Sequence, residues 1–144
     1  MDAHASESRI TPAGVALRAL IVGLVLVTAY IHSTLGGLLF SLNAFGYLVA
    51  AVAMIVPLGI AVRYRGIVRL GLIGYALTAI VGWAIMGPRY ETAYIAKADE
   101  LILIAVLAVD FLRADGNPAR YVAAVVGDVL AFVGLRPAGA GAKA

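Results

Sequence analysis

The stretch "AYIAKADELILIAVLAVDFLR", Ala93 to Arg113, decides how this chain folds. Its unbroken apolar part, Leu101 to Val109, is nine residues long. At about 1.5 Å per helical residue, that covers under half of a hydrocarbon layer roughly 30 Å thick. A spanning helix here must therefore extend upstream. It then carries Lys97, Asp99 and Glu100 toward or into the membrane, with Asp110 and Arg113 marking its other end.

A membrane is the right frame because of the rest of the chain. Of 144 residues, 63% are hydrophobic and only 13% charged, and mean hydropathy is +1.00. An ordinary soluble domain is about 45–50% apolar and about 25% charged. A soluble domain of this size buries only about two-thirds of its surface, too little to hide so much apolar material. The absence of cysteine excludes disulfides, thiolate metal sites and cysteine nucleophiles. The net charge of +3 reads as basic loops facing the cytoplasm, not as a nucleic-acid surface.

Working upstream, the interruptions mark three further helices. The third runs from Ile67 to Met86 and stops at Gly87-Pro88, a breaker pair. The second covers about Thr34 to Val62, with a kink or early stop expected at Pro57. The first begins at Val15 or Leu17 and ends near Ser33; a second long apolar run follows at once, so it does not read as a cleavable signal peptide. Downstream, Asn117-Pro118 reads as an N-cap followed by a first-turn proline. Val122, Val125, Val126, Val129 and Val133 then keep helical spacing on one face, with Arg120, Gly127 and Asp128 on or near the other. That pattern suits an amphipathic helix lying in the membrane interface, with a fifth crossing as the alternative.

The expected fold class is therefore all-α: a four-helix transmembrane bundle over 14–113 and an interfacial amphipathic helix over 117–135. Disordered segments are expected at 1–13 and 136–144. With four crossings, nine basic residues, among them Arg63, Arg65 and Arg69, fall on one side; only Arg89 and Lys97 fall on the other. The positive-inside tendency then puts both termini in the cytoplasm of a multi-pass cell-membrane protein.

This topology turns "HSTLGGLLFSLN", His32 to Asn43, into a tight outer hairpin. Gly36-Gly37 permits the reversal, and Gly36, Phe40, Asn43 and Tyr47 recur along one face of the second helix. Antiparallel neighbours bring His32, Asn43, Lys97 and Glu100 to one level. The expectation is a hydrogen-bonded polar layer, with His32 and Asn43 facing Glu100 and Lys97 close by. An unpaired carboxylate at that depth is costly, and opposite charge and amide donors are the available remedy.

The pattern H-x-x-L-G-G-x-L-F-x-L-N-x-x-G-Y (His32 to Tyr47), with G-P-R (Gly87 to Arg89) and Y-I-x-K-x-x-E (Tyr94 to Glu100), resembles an uncharacterised family of small four-helix prokaryotic integral membrane proteins. The resemblance spans about residues 15–113. It implies a helical bundle and supplies no activity.

Each candidate has a plainer reading. His32 could ligate haem or a metal or carry a proton, but haem and zinc need further His, Cys or Met partners. A capping or interfacial histidine is the plain alternative. Asn43 could bind a ligand or join helices. Lys97, Asp99 and Glu100 could relay protons, or stay wet at the interface through snorkelling. Gly74, Thr78 and Gly82 form a small-xxx-small stripe, expected to be a helix-packing face. Arg63, Arg65 and Arg69 read as topology determinants with anionic-lipid contact as a second role.

No phosphate loop, Ser/His/Asp grouping or HExxH occurs, so no enzyme and no cofactor is expected. Two classes remain. The first is a non-enzymatic packing or accessory subunit, self-associating or part of a larger membrane complex. The second is a small carrier or redox accessory binding a proton, quinone or small polar ligand at the outer polar layer.

Overall fold

The computed structural model describes residues 11–134; the ends expected to be disordered, 1–13 and 136–144, lie outside them except for Thr11 to Ala13, which cap and open the first helix. The described residues form six helices and no strand. They are α1 (Pro12–Thr34), α2 (Leu38–Ile55), α3 (Gly59–Arg63), α4 (Arg65–Met86), α5 (Glu91–Ala114) and α6 (Pro118–Phe132).

Helix α1 starts a few residues earlier than the hydropathy suggested. Thr11 caps it, its Oγ1 accepting from the Gly14 amide at 3.2 Å, and Pro12 fills the first turn. Ile21, Val25 and Ala29 repeat at every fourth position and form its buried stripe. The chain then reverses through Gly36 (φ +71°) and Gly37 (φ +86°), left-handed positions that glycine occupies without steric cost.

Helix α2 does not run on to Val62. It stops at Ile55, two residues before Pro57, and a separate single turn, α3, follows. Proline lacks the amide the helix would need and restricts the residue before it. Arg65 covers the break, with Nη2 donating to the Val56 carbonyl at 3.3 Å.

The long helices pack as a ring: α1 on α2 and α5, α4 on α5 and, more thinly, α2. Ile21, Val25, Tyr47, Ala51, Met54, Leu72, Leu103 and Leu107 form the core. Among the described residues, only α1, α2 and α4 are long and apolar enough to cross a membrane by composition. Helix α5 has 24 residues, enough for about 36 Å. Its charges set it apart, and they point inward: Lys97, Asp99, Glu100 and Asp110 are all buried among the other helices. Large apolar side chains such as Leu39, Ile55, Val81 and Leu112 are instead exposed around the ring.

Helix α6 opens on Asn117, whose Oδ1 accepts from the Ala119 and Arg120 amides. It buries no residue fully. Tyr121 holds it against the ring, edge-on to Phe111 at 5.5 Å and lying over Gly66, where an added Cβ would collide with the Tyr121 ring. Asp128 accepts from exposed Arg63 at 2.6 Å and holds that guanidinium's pKa above its ordinary value.

Candidate functional site

Three helices build a buried polar cluster beside the α1–α2 turn. The α5 carboxylate of Glu100, fully buried, is its centre. Lys97, one turn earlier on α5, donates from Nζ to Oε2 at 2.6 Å. Tyr47 of α2 donates its hydroxyl to Oε1 at 3.4 Å. His32 of α1 brings Nε2 to 3.6 Å from the same oxygen, while its Nδ1 lies 2.8 Å from the Thr28 carbonyl. The His32 ring also leans on Tyr47, centroids 5.7 Å apart. Asp99, beside Glu100 in sequence, is buried too, and its Oδ2 has no hydrogen-bond partner among the described residues.

Of the four residues expected in this layer, His32, Lys97 and Glu100 come together. Asn43 does not reach Glu100. Its backbone carbonyl accepts from Tyr75 at 3.3 Å, and the residue lines the neighbouring cavity. Tyr47, one turn further along the same face, takes the place expected of Asn43. The missed signal was depth: Glu100 sits a turn deeper than the hairpin, where the longer tyrosine reaches it.

Against this cluster lies a cavity of about 470 Å³ between α2, α4 and the start of α5. Leu39, Phe40, Leu42, Trp83 and Met86 give it apolar walls, and His32 and Lys97 form its polar end. Its position follows from the thin α2–α4 seam. Thr78, Ala79 and Gly82 leave room on the α4 side.

The expected packing role of Gly74, Thr78 and Gly82 is thereby corrected for the single chain. Gly74 and Thr78 are exposed, and a Cβ added at Gly74 or Gly82 meets nothing within 4 Å among the described residues. Thr78 and Gly82 line the cavity, and the Thr78 hydroxyl donates back to the Gly74 carbonyl at 2.8 Å. The stripe faces open space because Tyr75, not the small residues, carries the α2 contact; its hydroxyl would lie 2.7 Å from a Cβ at Gly46.

A second buried ionic cluster occupies the opposite end of the ring. Arg69, 1% exposed, donates through Nε to Asp110 at 2.7 Å and through Nη1 to Asp115 at 2.8 Å. The sequence suggests only a topology determinant at Arg69; the structure adds a buried role at the centre of this cluster. A basic residue at a helix start suggests a wet end, but Asp110 and Asp115 draw this one inward. Tyr121 closes over this cluster; burial first, then nearby Asp115, push its phenol's pKa up.

Among the described residues, no three His, Cys, Asp or Glu side chains are grouped to hold a metal. No protein-family model, curated protein or solved structure matches the chain.

Proposed function

We propose that this chain is a four-crossing protein of the cell membrane that binds a membrane-borne amphiphile and catalyses no reaction. One observation carries the reading: an apolar cavity of about 470 Å³ ends on buried Lys97 and His32. Ligand pockets run from about 300 to 1,000 Å³, mostly apolar with a few convergent polar groups. The ligand's tail lies along Leu39, Leu42 and Met86, whose exposed flanks face lipid, and its head reaches Lys97 and Asn43. Lys97 spends one donor on Glu100 and has two more to offer.

The fourth crossing is α5. Its charges turn inward, with Lys97, Glu100 and Asp110 paired inside the ring, which leaves apolar residues such as Leu101, Ile102 and Val109 on the outer face. The nine-to-two division of basic residues puts both termini in the cytoplasm and the cavity at the outer end. Helix α6 lies in the inner interface, with Val122, Val126 and Val129 toward the acyl boundary. The resemblance of the His32–Tyr47, Gly87–Arg89 and Tyr94–Glu100 motifs to small four-helix prokaryotic membrane proteins supports this arrangement. A cysteine at position 89 should label from outside intact cells; labelling only after lysis would reverse the orientation.

Native mass spectrometry of the protein in mild detergent tests the binding itself. A bound amphiphile is expected in the wild type and should be lost in Ala79→Phe, which fills the cavity from α4. No bound species, or one retained by the filled variant, overturns the reading.

A second reading, a self-associating or accessory subunit, is favoured by exposed Gly74, which lies on a face of α4 that no other described element covers.

A further inference from the structure

The polar cluster contains a contact that ordinary protonation states leave repulsive. The Thr28 carbonyl can only accept a hydrogen bond, and it lies 2.8 Å from Nδ1 of His32. Nδ1 therefore carries a hydrogen. The Thr28 hydroxyl, at 3.4 Å from the same nitrogen, is too far to dictate the other tautomer. In a neutral ring with Nδ1 protonated, Nε2 presents a lone pair, and it faces Oε1 of Glu100 at 3.6 Å. The two acceptors then oppose each other with almost no exposure, 4% for the His32 side chain and 0% for that of Glu100.

We propose that one additional proton is held between His32 Nε2 and Glu100 Oε1, making this pair a proton-binding site inside the ring. With that proton on either atom, the contact becomes a donor facing an acceptor. The charge balance agrees. The ring meets Tyr47 from α2 and Lys97 and Glu100 from α5, with Asp99 next along that helix. Cationic Lys97 beside two carboxylates leaves one net negative charge, and the shared proton brings the cluster to neutrality. A buried cluster without net charge is the arrangement a low-dielectric interior tolerates.

The proton exchanges on the cavity side, because His32 and Lys97 line that cavity. Toward the opposite end the path meets Val25, Leu103 and Leu107, all fully buried and apolar. The pair is thus a proton store open to one face, not a through-path. This inference goes beyond amphiphile binding and does not depend on it; an empty cavity leaves the proton count unchanged.

The chain has two histidines, so a His4→Gln variant with ¹⁵N-labelled histidine isolates the His32 ring. Nitrogen NMR reads its two ring positions near neutral pH, and infrared difference spectra against Glu100→Gln read the carboxyl state. The expected result is either hydrogens on both ring nitrogens beside ionised Glu100, or hydrogen on Nδ1 alone beside protonated Glu100. Neutral His32 beside ionised Glu100, in either tautomer, overturns the proposal. The NMR arm keeps every residue of the cluster native, so a folding failure of Glu100→Gln does not remove the test.

Discussion

At one end of the ring Arg69 meets two carboxylates; at the other, Glu100 meets a lysine, a tyrosine and a histidine. Ten residues of α5, roughly 15 Å of helix, separate Glu100 from Asp110, and the apolar core fills the space between. The Arg69 cluster has short bonds and is closed over by Tyr121 and α6. The Glu100 cluster has one short bond and two long contacts, and it borders a cavity. An ion cluster covered by a neighbouring helix has no room to offer a ligand. A cluster with spare donors, an unpartnered Asp99 oxygen and an adjoining cavity does. The comparison teaches that burial of charge alone does not mark a site; unspent hydrogen-bonding capacity beside space does.

The largest effect should come from the closed end. Arg69→Met leaves Asp110 and Asp115 facing each other in a buried place. Breaking a buried pair by removing one partner costs about 3–5 kcal/mol, a fall of roughly 10 °C or more in Tm for a chain of this size. The double variant Arg69→Met with Asp110→Leu removes one stranded carboxylate and should recover part of that loss. Thermal unfolding in detergent measures both. An Arg69→Met protein as stable as wild type would remove the distinction between the two ends.

The smallest effect should come from Gly74→Leu. No described atom lies within 4 Å of a Cβ there. Helix propensity favours leucine over glycine by somewhat under about 1 kcal/mol, so monomer stability should hold or rise slightly. Loss of an oligomer in size-exclusion chromatography with light scattering, with the monomer still folded, would turn attention from the cavity to the second reading and its α4 face.

Much of the Glu100 cluster was legible in the sequence. A nine-residue apolar run is too short to span, so Lys97 and Glu100 must move inward, and an antiparallel hairpin sets His32 at their level. Choosing between Asn43 and Tyr47 was beyond that reasoning. Both lie on one face of α2, and side-chain reach across the ring decides which meets Glu100. The Arg69 cluster was not legible either. Its partners follow 41 and 46 residues later, and nothing local to Arg69 distinguishes it from Arg63, which is exposed and pairs with Asp128 instead.

What the sequence determined by itself was the all-helical class, the break at Pro57, the reversal at Gly36-Gly37, the Asn117 cap and the inward charge of α5. Each follows from forces acting within a turn or two of chain: a missing amide, a permitted φ, a capping oxygen, a length set against a thickness. Tertiary structure alone decided where the helices stand apart. Tyr75 wedged over Gly46 fixes the α2–α4 approach, and the small residues at Thr78 and Gly82 then face a cavity instead of a neighbour. A small side chain only permits close packing; which gaps are filled depends on the larger residues around it, and those come from other parts of the chain.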